Sequence, residues 1–306
     1  MASLIENHFF LRFGYHCELC PSNCDSCQSY AHVFACLAHI SLCSNGLAVI
    51  NDADDLSTAQ MQSFAAWTNL AETTFILEPD DPFADYKLRI FTPVREMLFA
   101  GHPTLGSCAA WQRWGGQPKA KNTVVQECGI GLVDIHLDDG RNAFVAPTTK
   151  IEALPPNRLE GITKKLGIAR DKILTSARLE NGPVWNAIEL VDAEAVLNIN
   201  SSLVKYGDFG PIGFLGINND QSDIDFIVRM LAPSSGMAED PITGSLNAAL
   251  AKWLFSQGRL DNSLIIAQGE KIGREGRVYV DLLDRDEGQI TIGGETQILI
   301  KGQVLL

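Results

Sequence analysis

Hydrophobic positions in this chain fall mostly into short β-type runs bounded by turn residues, and only four stretches take up helical spacing. His32-Val-Phe-Ala-Cys36 reads as a strand, and Asn45-Gly-Leu-Ala-Val-Ile50 as a turn entering a second strand. Ser57-Thr-Ala-Gln60 has capping-box spacing, and Met61, Phe64, Ala65 and Thr68 follow at helical intervals. Thr73–Leu77 and Lys87–Phe91 are β-type runs, the second ended by Pro93 because proline has no N–H for a ladder. A helix is predicted from Leu105 to Trp114, stopped by Gly115-Gly116, and short strands follow at Thr123–Gln126, Leu132–His136 and Ala143–Val145.

Pro147, Pro155 and Pro156 mark a crossover, a short helix spans Leu159–Leu166, and then the pattern starts again. Asn181-Gly-Pro-Val-Trp-Asn-Ala-Ile-Glu-Leu190 repeats the earlier Asn-Gly turn and strand. A strand at Phe226–Leu231 and a helix at Gly244–Phe255 mirror the first half, and several strands close the chain, the last at Gln297–Ile300 and Val304–Leu306. Ala248, Ala249, Leu250, Leu254 and Phe255 make that helix apolar over much of its circumference, as in a helix buried inside a curved sheet. The expected fold class is α+β, with two similar lobes. Residues 31–147 form the first, 148–289 the second, and strands from about 290 to 306 are candidates to return to the first.

The repeat is sharpest in two motifs. Arg89-Ile-Phe-Thr-Pro93 precedes His102-Pro-Thr-Leu-Gly-Ser107, and Arg229-Met-Leu-Ala-Pro233 precedes Asp240-Pro-Ile-Thr-Gly-Ser245. Proline directly after a polar residue signals a helix start, so each copy is expected to aim free main-chain N–H groups at a cleft between the lobes. With the positive end of the helix dipole, such groups make an anion site. Gly106 and Gly244 permit close backbone approach, and Ser107 and Ser245 can add hydroxyl donors. Capping accounts for either copy taken singly; two matched copies point to a shared cleft, where His102 differs from Asp240.

Composition narrows the function classes. The 306-residue chain is 46% hydrophobic and 20% charged, ordinary for a globular protein. Its net charge of −13 and lack of a basic cluster argue against nucleic acid as a partner. No apolar run reaches the roughly 18 residues needed to span a bilayer, so no membrane partner is expected. Glu6 stands where a signal peptide would be basic, which makes the expected compartment the cytoplasm, with reduced thiols. Residues 1–30 are expected to be a cysteine-rich, poorly ordered extension. Cys17, Cys20, Cys24 and Cys27 could ligate zinc or an iron–sulfur cluster, although the three residues between the pairs are far fewer than zinc sites normally use. Nucleophile-elbow, dinucleotide and phosphate-loop motifs are absent. The five tryptophans Trp67, Trp111, Trp114, Trp185 and Trp253 are expected in the core.

From about residue 31 to its end the chain resembles the phenazine-biosynthesis isomerase (PhzF-like) group, which shares its fold with diaminopimelate epimerase and proline racemase. The resemblance rests on Asn45-Gly-Leu-Ala-Val49, Asn69-Leu-Ala-Glu-Thr-Thr-Phe75, Phe91-Thr-Pro93, Ala100-Gly-His-Pro-Thr-Leu-Gly106, Asn181-Gly-Pro183, Glu239-Asp-Pro-Ile-Thr-Gly-Ser245, Gln268-Gly269 and Gly273-Arg274. It implies two pseudo-twofold-related lobes, each a barrel-like mixed sheet around a central helix, and a homodimer. It also implies that Glu72 is the general acid/base, that His102 and Asp240 support it, that Gly101, Gly244 and Ser245 lie near the substrate's carboxylate, and that Asn45 lines the cleft. The chain departs from the pattern at Val33–Ala38, which lacks a commonly found acidic residue, and at Ser44, where glycine usually precedes the Asn.

The related epimerases place a cysteine at the head of each motif, whereas here those places hold Ala100-Gly101-His102 and Asp240, and Cys108 and Cys128 lie elsewhere. Glu72 has no acidic partner in a matching context near 208–214, where Asp208 is the only acid. One proton carrier on one face suits an isomerase that moves a proton between carbons of a small carboxylate metabolite. No metal or organic cofactor is needed for that. Two alternatives stand beside it: an amino-acid or hydroxy-acid epimerase or racemase, and a non-catalytic protein that binds small anions.

Overall fold

A computed structural model describes residues 28–36, 45–138, 141–205, 207–232 and 237–305. In the first half the elements are β1 (Gln28–Cys36), β2 (Asn45–Asn51), α1 (Thr58–Thr68), β3 (Glu72–Leu77), β4 (Tyr86–Phe91), β5 (Glu96–Met97), α2 (Gly101–Arg113), β6 (Thr123–Cys128), β7 (Gly131–Asp138) and β8 (Arg141–Val145). The second half contains β9 (Lys150–Ala153), α3 (Pro156–Leu166), β10 (Ile173–Glu180), β11 (Val184–Leu190), α4 (Ala193–Leu197), β12 (Ile212–Ile217), β13 (Phe226–Ala232), β14 (Met237–Asp240), α5 (Gly244–Ser256), β15 (Ser263–Gln268), β16 (Gly276–Asp284) and β17 (Gln289–Leu305).

The halves share a pairing rule. The series β1-β2-β3-β4-β6-β7 alternates antiparallel, parallel, antiparallel, parallel, antiparallel, and β10-β11-β12-β13-β15-β16 does the same. One long strand is shared: β17 pairs with β16 and β8 through its first part and with β1 from Thr296 to Leu305. With β7 paired to β8, the strands from β1 to β8 and β17 form a ring around α2. The molecule is α+β, as the sequence pattern predicts, and the closing strands are one element rather than two.

Each central helix is buried along most of its length, with the polar His102, Thr104 and Ser107 of α2 and Asn247 of α5 enclosed beside the apolar side chains. In α2, Leu105, Cys108 and Ala110 are fully buried among Leu47, Val124, Ile135 and Phe144. In α5, Leu246, Ala248–Ala251 and Leu254 sit in the same continuous core. Burying each large side chain is worth about 1.5–3 kcal/mol, so a barrel closed around such a helix holds its first turn firmly. The outer helices cover the sheet's other face, α1 on Phe75, Phe91 and Ile50, and α3 and α4 on Ile188, Phe214 and Leu231.

Two expectations need correction. Trp67 is 65% exposed, with its ring 5.8 Å from that of Phe64, because the apolar side of α1 is carried by Met61 and Ala65. Trp185 and Trp253 are buried as expected, while Trp111 and Trp114 are half-buried. The helix placed at Leu105 starts at Gly101, since Pro103 needs no N–H partner inside a first turn. His102 therefore lies inside that turn instead of capping it. Cys17, Cys20, Cys24, Cys27 and Ser44 lie outside the described residues. Among the described residues no helix is long and apolar enough to cross a membrane, and no group of three or more His, Cys, Asp or Glu side chains could hold a metal ion.

Candidate active site

Glu72 opens β3, directly after the turn made by Asn69, whose φ of 51° ends α1 in the left-handed conformation that asparagine tolerates. Parallel pairing with β2 sets Glu72 beside Leu47, next to the Asn45 turn. Its carboxylate is 17% exposed and meets the His102 ring, Oε2 to Nε2, at 3.0 Å. Neither atom has a further partner, and the pair lacks the alignment of a complete hydrogen bond. Burial works to lower the His102 pKa, but the carboxylates of Glu72 and Asp240 reverse it, and the ring ends above its ordinary 6.5.

Asp240 ends β14 and is 8% exposed. Asn45 reaches across from the first lobe, its Nδ2 donating to Asp240 Oδ1 at 3.0 Å and to the Ile242 carbonyl at 3.1 Å. The Thr243 hydroxyl donates to the other carboxylate oxygen. Burial pushes the Asp240 pKa up from 3.8 to about 6, while its bonds from Thr243 and Asn45 oppose that rise. His102, Glu72 and Asp240 thus form one electrostatic group built from both halves of the chain.

The starts of α2 and α5 face each other. A Cβ built on Gly101 would lie 3.0 Å from the Gly244 Cα, and one on Gly244 would lie 3.1 Å from the Gly101 Cα. Only glycine permits this approach, which leaves the main-chain N–H groups of both first turns converging on one place. Neither helix has a side-chain cap bond, so these groups are free for a carboxylate.

That contact corrects the textual alignment of the two motifs. Gly244 is matched in space by Gly101, not by Gly106, because α5 begins after its Asp-Pro step whereas α2 begins before its His-Pro step. Ser107 is consequently buried, sharing a 2.8 Å hydrogen bond with Thr74, and is no anion donor. Ser245 is half-buried in the first turn of α5, where its carbonyl accepts from Asn181 Nδ2 at 2.7 Å. Asn181 is held in turn by Trp185 Nε1 at 2.9 Å.

Strand register identifies the counterpart of Glu72. Phe75 pairs with Arg89 and Phe214 with Arg229, and counting back from each phenylalanine places Pro211 where Glu72 stands. Asp208, the only acid nearby, is tied to Lys165 at 3.1 Å on the surface. Burial also pushes the Cys108 thiol far above its ordinary range, and it lies inside α2 with no path to a two-thiol arrangement.

Sequence reasoning missed the buried frame behind Asp240, made of Thr243, Asn247, Gln268 and the Arg229–Glu239 pair. The signal was the polar residue on an apolar strand or helix: Gln268 after Leu-Ile-Ile-Ala, Asn247 inside an Ala/Leu helix, Arg229 inside Phe-Ile-Val-Arg-Met-Leu.

Sequence comparison assigns this fold, with its carboxylate–imidazole pair between the two halves, to a family. Residues 38–302 match the model of the phenazine biosynthesis-like protein family, and the chain belongs to that family. It is similar to antisense-enhancing sequence 1 of Schizosaccharomyces pombe, 34% identical over 85% of this chain and 93% of that protein. It is also similar to trans-2,3-dihydro-3-hydroxyanthranilate isomerase of Pseudomonas fluorescens, 31% identical over 88% of this chain and 96% of that one. In fold it matches the crystal structure of a Bacillus anthracis phenazine biosynthesis protein of the PhzF family, with a TM-score of 0.77, 20% identity, and 91% and 99% of the two chains covered. The protein is an enzyme of the PhzF-like isomerase type.

Proposed function

We propose that Glu72 takes an acidic C–H proton from a small unsaturated or cyclic carboxylate and returns it to another carbon of the same conjugated system. The observation that carries this reading is the Glu72–His102 pair, 3.0 Å apart in a nearly closed site, with Pro211 at the matching position of the other half. A second carrier on the opposite face of the substrate is what a two-base racemase needs, and proline cannot act as one. The His102 ring, whose pKa its carboxylate neighbours raise, is placed to stabilise negative charge as it develops on the substrate. Gly101, Gly244 and Ser245 would present main-chain N–H groups to the carboxylate, and Asn45 with Asp240 would fix the far wall.

The test is incubation in heavy water with small carboxylates, beginning with trans-2,3-dihydro-3-hydroxyanthranilate, the compound in the name of the Pseudomonas fluorescens relative. The expected product carries solvent-derived label on a carbon other than the one deprotonated, with an absorbance shift as conjugation moves. Glu72→Gln should cut label incorporation by about 10²–10⁴-fold with the circular dichroism spectrum unchanged. Label retained by Glu72→Gln overturns the role of Glu72; inversion of one stereocentre without migration identifies an epimerase instead.

A further inference from the structure

Behind Asp240 lies a side chain the reaction does not touch. Gln268, at the end of β15, is fully buried, and both ends of its amide are occupied. Its Oε1 accepts from the Thr243 main-chain N–H at 3.2 Å and from Asn247 Nδ2 at 2.9 Å. Its Nε2 donates to the Asp240 main-chain carbonyl at 3.0 Å and to Thr243 Oγ1 at 3.0 Å. The two main-chain partners settle which end is which: an N–H can only meet oxygen, and a carbonyl can only meet an N–H. Thr243 Oγ1 therefore accepts from Gln268, and its single hydrogen is left for Asp240 Oδ2. Asn45 donates to the other oxygen. Both carboxylate oxygens are thus met by donors, and a proton placed on Oδ2 would have to turn the Thr243 hydroxyl away from an acceptor it cannot replace.

We propose that Gln268 and Thr243 are positioning residues for Asp240: the glutamine amide locks the threonine hydroxyl as a donor, and that donor keeps Asp240 an ionised acceptor facing His102. The first lobe contains the same parts without the carboxylate. Gln126 on β6 donates from Nε2 to Thr104 Oγ1 at 3.1 Å and accepts from the Tyr86 hydroxyl at 3.0 Å. Among the described residues no carboxylate is bonded to Thr104, so Gln126 braces α2 against β4. The ionisable groups facing Asp240 are Glu72 on β3 and His102 on α2; Arg229 and Glu239, one residue back, are bound to each other. The donor chain accordingly resists the burial that drives Asp240 upward, towards about 6.

The inference rests on Asp240 belonging to the cleft, but its test needs no substrate, so it fails or stands independently of the proposed reaction. Protein labelled with ¹³C at the aspartate carboxyls is titrated by NMR, the Asp240 signal being the one lost in Asp240→Asn. Thr243→Val and Gln268→Met should each raise its midpoint by about one pH unit, the scale of one lost hydrogen bond to a charge. Their combination should add little to either alone, because they interrupt one chain. Thr243→Ser, which restores the hydroxyl, should return the midpoint, and Gln126→Met should leave it unmoved. If Gln268→Met does not fold, Thr243→Val against Thr243→Ser decides alone. A midpoint unchanged in Thr243→Val, or moved as far by Gln126→Met as by Gln268→Met, overturns the proposal.

Discussion

Two arginines hold matching strand positions, and their surroundings separate the lobes. Arg89 pairs across the ladder with Phe75, and Arg229 with Phe214. Each grips a glutamate with two parallel bonds, Arg89 to Glu96 at 2.8 and 2.8 Å, Arg229 to Glu239 at 2.9 and 2.6 Å. The first pair is 23% and 39% exposed and reaches Thr58 at the start of α1. The second is 2% and 1% exposed and takes the carbonyls of Val196, Leu197 and Ile199 at the end of α4. A cation at a helix end suits the dipole there, and burial makes its bonds obligatory. The same clamp is optional trim before His102 and a fixed wall before Asp240. The difference teaches that the second lobe supplies the rigid side of the site, opposite Glu72 of the first lobe, the proton carrier proposed above.

The largest expected effect tests that contrast. Arg229→Met leaves Glu239 buried without its partner and should cost about 3–5 kcal/mol, whereas Arg89→Met should cost about 0–1. Replacing both members, Arg229→Met with Glu239→Leu, should recover much of the loss, since no charge then remains buried. Urea unfolding midpoints read all three. Equal losses at Arg229 and Arg89 would remove the distinction between the walls.

The glycine contact sharpens the comparison at the point where the lobes meet. Gly244→Ala presses on the Gly101 backbone and, less closely, on the His102 main-chain nitrogen, but Gly101→Ala meets both Gly244 and the Phe144 ring at 3.0 Å. Each should destabilise by about 1–3 kcal/mol, with Gly101→Ala the worse, because overpacked backbone cannot rotate aside. Thermal unfolding ranks them, and the reverse order would mean that the first lobe yields more readily than its closed ring suggests.

How much of this was legible before the coordinates follows from the same residues. The capping box at Ser57 and Gln60 forms as its spacing predicts, and α5 starts at Gly244, because both signals are local. The ring closed by β17 is not local: Thr296 meets Cys36 on β1 and Thr291 meets Val145 on β8, partners that no short window of the chain brings together. His102 is legible from the repeated motif and Glu72 from the family resemblance, whereas their 3.0 Å contact depends on how β3 and α2 pack. The Gly106–Gly244 match misled because a Pro-Gly-Ser spacing survives when the helix start slides by a turn, and only space separates Gly101 from Gly106.

Proton binding distinguishes the lobes in smaller measure. Asp240 binds a proton more readily in the fold than its ordinary 3.8 allows, so its contribution to stability is complete below that value and disappears as pH rises through about 6. His102, raised above 6.5, contributes fully below that pH and loses its contribution only as pH climbs past it. Asp240→Asn should therefore flatten the fall in stability between about pH 4 and 6, and His102→Gln the fall above pH 6.5. Denaturation across that range compares the two variants, and one shared window would mean that the lobes titrate as a single unit.

The smallest effects belong to the outer helices. Ser57 accepts from the Gln60 N–H at 3.3 Å at the start of α1, and Asp192 accepts from the Ala195 N–H at 2.7 Å at the start of α4. Either cap replaced by alanine should cost about 0.5–2 kcal/mol. The caps differ in what stands at the helix's other end: α1 ends on the free turn of Asn69, but α4 ends on the Arg229 guanidinium. Asp192→Ala and Arg229→Met loosen the same five-residue helix from both sides, so their costs should not add, falling short of the sum by about 0.5 kcal/mol or more. Ser57→Ala and Arg89→Met should add more nearly, since Arg89 is bonded to α1 through the exposed Thr58 hydroxyl. A double-mutant cycle in each lobe measures this, and equal coupling in both would show that the exposed clamp holds its helix as firmly as the buried one.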